Sequence, residues 1–352
     1  MILRAVPKVI HMHRRIVAAP LLVAAMLGGG CASGSAAEPP RDDIQRQAPP
    51  RPPGQAPPPA VSSRESLRVI DEYVAKHNRA VTDTDGRAWR GLLGEPLAAT
   101  AGALLRIGAG DPPERETITL VNPVLLVPRL DAYPRWFVAA AMERRGRRGT
   151  PRPALMMFTR SGPDAAWRLA NKTTITGQKL PKIATDGQGY ALTVPAETSA
   201  RLAVGLNDLA AAHGAYLTGG DDRGFAAGPY TSGWRAQQAE TSRRLRAGGW
   251  RDTGRFSRTR YPVAALRTKD GGVLAWYAIS RVDTLVAADG GAPDPRAVPS
   301  DVRGYLDRPV TGGRTEVRAA WLLLPLTYVP PTGQASVLGM TSGLTSATVI
   351  EH

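Results

Sequence analysis

Length, composition and charge limit the classes of protein to which this chain can belong. It has 352 residues, 43% hydrophobic and 21% charged, so it can bury the cores of about two globular domains. Its 45 basic residues outnumber its 30 acidic ones, and the formal net charge of +15 favours anionic surfaces such as lipid head groups or acidic wall polymers. A single cysteine, Cys31, excludes an internal disulfide.

The first thirty residues have the order of a secretory signal. Basic side chains lie between positions 4 and 15, an apolar run of 12 residues covers Ile16–Leu27, and three glycines precede Cys31. The run is too short for a bilayer core, which needs about 20 residues, so we predict a cleaved leader and no membrane span. Export would also separate the protein from nucleic acid, so we do not expect nucleic acid as a partner.

The small residues that end in Cys31 resemble the lipobox of bacterial lipoproteins. In that family the cysteine is diacylated, with chains such as palmitate, and becomes the new N-terminus. The resemblance therefore implies loss of residues 1–30 and a lipid anchor at the extracytoplasmic face of the cell membrane. The family prefers leucine three residues before the cysteine, where this chain has Gly28. Ordinary signal cleavage after Ala37 is the alternative.

A proline-rich segment follows the signal. Residues 38–60 read EPPRDDIQRQAPPRPPGQAPPPA, a composition that tends to extended polyproline II and cannot bury a core. We therefore predict a disordered tether over residues 31–63, which lifts the folded part off the membrane.

Residues 64–180 are predicted to form a first domain. Ser62 and Glu65 have the spacing of a capping box, which indicates the start of a long helix. A further helical stretch over residues 87–106 is interrupted by Pro96. The predicted inward face of the long helix comprises Leu67, Ile70, Val74, His77 and Val81. The predicted strands are Thr117–Val127, Pro134–Met142, Ala154–Arg160 and Ala166–Ile175.

Residues 190–352 repeat this order of elements as a predicted second domain. Asp270-Gly271 indicates a tight hairpin turn, because this pair readily takes positive φ angles. The second long helix is predicted from Leu202, Leu206, Leu209, His213 and Tyr216, and a further helix covers residues 233–247. The predicted strands are Thr253–Arg258, Pro262–Arg267, Val273–Val286, Glu316–Thr327, Ala335–Gly339 and Ala347–Ile350.

Helices followed by runs of antiparallel strands predict an α+β fold of two tandem domains. Each would be a long N-terminal helix plus short helices packed on a curved antiparallel sheet. This order resembles the cystatin-like fold of nuclear transport factor two and ketosteroid isomerase, which implies a conical pocket under the helix but no particular activity. The whole chain is also similar to uncharacterised lipoproteins of actinobacteria, which share the signal, the linker and the tandem body and have no assigned reaction.

Two histidines are the candidates for a pocket. His77 and His213 lie near the ends of the two long helices, and Tyr73 precedes His77 by one helical turn. A pocket histidine could act as a general acid or base. Both histidines lie on the apolar stripe, however, where a histidine that bonds a backbone carbonyl is more common, so we assign no catalytic residue.

The sharpest local feature is a basic run that comprises Arg144, Arg145, Arg147 and Arg148 around Gly146. Such a run could contact anionic lipid head groups or wall polymers. We favour the other interpretation, a solvated hairpin loop in an arginine-rich chain, because exposed basic loops are common in cationic proteins.

The sequence lacks the motifs of the common enzyme and metal sites. It has no HExxH motif, no CxxC pair, no Gly-x-Ser-x-Gly elbow and no phosphate-binding glycine loop, so we predict no metal and no cofactor. Our leading hypothesis is a lipid-anchored, non-enzymatic envelope protein that binds a ligand or an unknown protein partner. The alternatives are a pocket-based enzyme of the ketosteroid-isomerase type and a purely structural envelope protein.

Overall fold

The computed structural model describes residues 56–81, 87–101, 116–175, 179–197, 202–220, 223–288, 292–306, 308–310 and 315–351. The predicted signal, Cys31 and the tether up to residue 55 lie outside the described residues. The described part is α+β with antiparallel sheets, and all of it belongs to one compact unit.

A long helix and a four-stranded antiparallel meander form the first half. The strands pair in the order β1-β2-β3-β4. The elements are α1 Ser63–Ala80, α2 Arg87–Arg90, β1 Ile118–Leu126, β2 Arg135–Arg145, β3 Arg152–Arg160 and β4 Arg168–Thr174. A further helical segment covers residues 97–101.

Helix α1 begins at the predicted cap, but its inward face differs from the prediction. The Ser62 hydroxyl accepts a hydrogen bond from the Glu65 backbone N–H at 3.2 Å. Leu67 was expected to face inward and is 45% exposed. The buried face instead includes Ser66, whose hydroxyl donates to the Ser63 carbonyl at 2.9 Å. A satisfied serine can be buried at little cost, so polarity alone misplaced the first turn of this face by one residue. Ile70 and His77 of the predicted face are buried as expected.

The second half places two helices before a six-stranded sheet. The elements are a 3-10 turn Leu206–Asp208, α3 Leu209–Leu217, α4 Ser232–Ala247, β5 Trp250–Arg258, β6 Ala264–Arg267, β7 Val273–Trp276, β8 Ile279–Ala287, a 3-10 turn Pro295–Ala297, α5 Ser300–Tyr305, β9 Thr315–Val329 and β10 Ser336–Glu351.

Strand β9 organises this second sheet. The start of β9 pairs with β8, its end pairs with β7, and its other edge pairs with β10.

Three predictions for the second half are corrected by this structure. The predicted strand Val273–Val286 is two strands, separated at Tyr277. The predicted strands Ala335–Gly339 and Ala347–Ile350 belong to the single strand β10, because two register shifts let it follow β9 throughout. Leu202 lies outside the second long helix, which begins only at the 3-10 turn.

The two sheets pack face to face, with a helical layer outside each. Alternate residues of β2 illustrate this: Phe137 and Ala139 pack with α1, whereas Val138 packs with residues of the second sheet. In the second sheet, Leu274 faces the first sheet and Ala275 faces α3. The body is therefore layered helix, sheet, sheet, helix, with a core in each gap.

Extended chain ties the two halves together. The Ala191 N–H donates to the Val127 carbonyl at 2.8 Å, and the Arg267 N–H donates to the Leu192 carbonyl at 2.8 Å. Beside this point, the Ala60 N–H donates to the carbonyl of the next residue, Pro128, at 2.8 Å. The folded body thus begins before residue 63, where the predicted tether ends.

Candidate functional site

The two sheets separate at one end and leave a cavity of about 750 Å³. Indole rings from both sheets line it: the centroids of Trp136 on β2 and Trp276 on β7 lie 6.5 Å apart. Further apolar walls come from Met157, Tyr261, Val263 and Ala278. A cavity of this size with mainly apolar walls is typical of small-molecule sites, so we take it as the principal candidate site.

A few polar groups interrupt the apolar walls. The Trp276 indole N–H is not one of them, because that atom is buried and has no hydrogen-bond partner among the described residues. The Tyr261 hydroxyl donates to the Glu95 carboxylate, and burial together with this carboxylate raises the pKa of Tyr261. Asn171 is buried, whereas Arg168 is exposed at the cavity lining. The arrangement suits an apolar molecule that carries a hydrogen-bond acceptor.

A second concave region lies at the opposite end of the β2–β3 hairpin, and we call it the basic depression. Its volume is about 870 Å³. Arg145, Arg147 and Arg148 of the predicted basic run line it, and Arg152 joins them from β3. Arg144 does not line it, because Arg144 and Arg145 both lie within β2, where successive side chains point to opposite faces.

A buried ion pair forms part of the depression. The Lys172 Nζ atom lies 2.7 Å from Glu143 Oε2, and Arg145 Nε donates to Glu143 Oε1 at 2.9 Å. The side chains of Glu143 and Lys172 are only 4% and 7% exposed. Burial alone would raise the pKa of Glu143, but the two cations outweigh burial and hold that pKa below its usual range.

The two candidate histidines lie in the core. His213 is fully buried beneath the second sheet, where its Nε2 lies 3.1 Å from the Tyr230 carbonyl and its Nδ1 lies 2.9 Å from the Tyr277 hydroxyl. Since a carbonyl only accepts, Nε2 carries the proton, and Nδ1 of the neutral ring accepts from Tyr277. Burial lowers the pKa of His213 to about 4.

His77 occupies the corresponding place under α1. Its ring packs edge-on against Trp89, at 4.8 Å between centroids, and is 1% exposed. Burial lowers its pKa to about 4, and the nearby charge of Lys172 acts in the same direction. Tyr73 lines a groove of about 200 Å³ beside α1, but His77 lines neither that groove nor the two larger concave regions.

The described residues contain neither a metal-binding cluster nor a membrane-spanning helix. No group of three or more His, Cys, Asp and Glu side chains in the described part could hold a metal ion. Among the described helices, none is long and apolar enough to cross a membrane.

Sequence reasoning missed the cavity. Trp136 and Trp276, two of the seven tryptophans of the chain, belong to different sheets, and only the packing of the sheets brings them together. Arg152 was missed for a similar reason, since it joins the basic run only across the hairpin.

Comparison with known proteins adds a family and several relatives. Residues 57–349 match the model of a family described as a domain of unknown function, DUF8094. An uncharacterized lipoprotein of Streptomyces coelicolor is 30% identical over 287 residues, which are 80% of this chain and 84% of the relative. An uncharacterized lipoprotein of Streptomyces avermitilis is 29% identical over 66% of this chain and 69% of its own length. Another from S. coelicolor is 28% identical over 82% of each chain.

Proposed function

The chain belongs to the DUF8094 family, and from that premise we propose that it is a lipid-anchored envelope protein that binds a small, largely apolar molecule between its sheets. The observation that carries the binding proposal is the cavity of about 750 Å³ with an indole ring from each sheet. Pockets of roughly 300–1,000 Å³ enclose most of the surface of a drug-sized molecule.

The anchor is proposed from the sequence and from the relatives. The order of basic, apolar and small residues ahead of Cys31 suits a lipoprotein signal, and the relatives are named as lipoproteins. A diacylated Cys31 would hold the protein at the extracytoplasmic face of the cell membrane. Mass spectrometry of the native protein tests this: the proposal requires an acylated N-terminal Cys31, and an unmodified thiol there contradicts it.

We also propose that each half is a cystatin-like unit. In support, each half begins with a helix that covers the outer face of an antiparallel sheet. The domain limits 64–180 and 190–352 stay predictions.

The binding proposal is tested with a neutral fluorescent probe, N-phenyl-1-naphthylamine, which carries no charge for arginines to attract. Ala166 lines the cavity and is exposed, so Ala166→Trp should occlude the cavity without disturbing a core. We expect probe binding to weaken at least tenfold in this variant. Ala292→Trp is the matched control, because Ala292 is exposed and does not line the cavity. Equal probe binding by both variants would overturn the proposal.

A search for the natural ligand follows from the same assay. Organic extracts of the envelope should contain a compound that displaces the probe from the wild type. Native mass spectrometry then identifies the compound that remains bound to the wild type and not to Ala166→Trp.

A further inference from the structure

We propose that the basic depression at the turn end of the β2–β3 hairpin binds the phosphate group of an anionic ligand. This site goes beyond the apolar cavity, which has its own lining. Trp136 at the cavity and Arg145 at the depression are nine positions apart along β2, about 30 Å at 3.3 Å per residue. The two linings come nearest on β4, where Asn171 lines the cavity and Thr174 lines the depression.

Two glycines fix the turn that presents the arginines. Gly146 has φ +57°, a backbone conformation that residues other than glycine rarely adopt. Its N–H donates to the Thr117 carbonyl at 2.8 Å. A Cβ atom on Gly149 would lie 2.0 Å from the Arg145 carbonyl oxygen. The backbone between the glycines is therefore held in one tight turn, which keeps Arg147 and Arg148 exposed at the depression.

The described residues do not neutralise the charge of three of the arginines. Arg147, Arg148 and Arg152 are exposed and have no acidic partner among the described residues. A guanidinium presents a planar fork of N–H donors that matches two oxygens of a phosphate or a carboxylate. Three such groups around one concave surface favour a phosphate ester, because it carries up to three free oxygens and up to two negative charges, whereas a carboxylate carries two oxygens and one charge.

The carboxylates of the site do not cancel this charge. Glu143 already contacts Lys172 and Arg145, so its negative charge is balanced from within. Glu116 is the other carboxylate at the lining, against four arginines. Hydroxyl groups from both halves complete the lining, and three of them can donate to further phosphate oxygens: Thr150, Thr174 and Tyr230. The fourth, Thr341, already donates to the Lys172 carbonyl.

The experiment measures binding of sn-glycerol 3-phosphate by calorimetry to the wild type and to R147Q/R148Q. We expect the double variant to raise the dissociation constant at least tenfold, because it removes two unpaired guanidinium groups. The control is R255Q/R296Q, which removes the same net charge from exposed arginines that do not line the depression. Thermal unfolding of each variant verifies that the fold is intact.

A second arm identifies the source of the phosphate. Vesicles of phosphatidylcholine, with and without phosphatidylglycerol, are sedimented with the full chain carrying Cys31→Ser, so that no lipid at residue 31 contributes. Loss of phosphatidylglycerol-dependent sedimentation in R147Q/R148Q alone indicates a lipid head group. An effect restricted to glycerol phosphate indicates a soluble phosphate ester. Equal losses in R147Q/R148Q and R255Q/R296Q, or no wild-type binding in either arm, would overturn the proposal.

Discussion

The two ends of the β2–β3 hairpin differ sharply in character although they share the same two strands. One end opens into an apolar cavity with Trp136 and Trp276, and the other opens into the basic depression around Arg147. Between them the sheets are closed by a core that includes Val138, Leu155 and Leu338. Each end is completed by residues of the second half, so neither site exists in the first sheet alone.

The difference shows how one strand pair can serve two kinds of ligand. In the middle of β2, side chains on both faces are covered, by α1 on one side and by the second sheet on the other. At the ends this cover is missing, and the local side chains decide the chemistry. Large aromatic residues prevent the sheets from closing at one end, whereas charged residues cannot be buried at the other unless they are paired.

The largest effect that we expect from a single substitution is confined to the basic end. Lys172→Met would leave Glu143 buried with only Arg145 as its partner, which should cost about 3 kcal/mol of unfolding free energy. Urea unfolding measures this loss, and binding of the naphthylamine probe should be unchanged. Lys182→Met, at an exposed lysine, should cost almost nothing. The double variant E143Q/K172M should recover much of the loss, and failure to recover would show that Glu143 is not the group left unpaired.

A fall in pH should lower the free energy of unfolding of the whole body and should favour neither end, because the buried histidines belong to the outer helical layers. The pKa of His213 is lowered to about 4 in the folded protein, against an ordinary value of 6.5. The unfolded chain therefore gains a proton at a higher pH than the folded protein does. The contribution of His213 to the free energy of unfolding is complete above pH 6.5 and is lost as the pH falls towards 4. Between pH 7 and 5 the loss is about 2 kcal/mol per histidine.

His77, whose pKa is lowered to about 4 as well, should contribute equally. Urea unfolding at the two pH values tests this. His213→Gln should remove about half of the pH dependence, whatever its effect on stability at pH 7. An unchanged slope in that variant would mean that His213 does not titrate on unfolding.

The sequence predicted the elements better than the sites. The cap at Ser62, the hairpin at Asp270 and the basic run are local features, because turn geometry and capping depend on neighbouring residues. The cavity depends on the packing of two sheets, and Trp136 and Trp276 share no local pattern. The candidate histidines show the converse: their place on an apolar stripe already indicated the core, where the structure puts them.

A smaller effect is expected from a substitution at the contact between β10 and β4, and it should distinguish ligand binding at the two ends. A Cβ atom on Gly339 would lie 2.3 Å from Thr173 Cγ2, so Gly339→Ala should cost about 1.5 kcal/mol and shift the neighbouring chain. Because the next residues, Met340 and Thr341, line the basic depression, glycerol phosphate binding should weaken more than probe binding. Gly187→Ala is the control, since its Cβ would meet nothing within 4 Å. Equal weakening of both ligands would indicate a general loosening of the sheets.

The smallest expected effect is a loss of stability that leaves ligand binding at both ends unchanged. Ser62→Ala removes the hydroxyl that accepts the Glu65 N–H at the start of α1, which should cost about 1 kcal/mol. Helix α1 covers the outer face of the first sheet, and Ser62 lines neither concave region. Thermal unfolding should therefore shift to lower temperature while the dissociation constants of both ligands stay the same. A change in either constant would show that the sites depend on the outer helix, and that the two ends are less independent than their separation suggests.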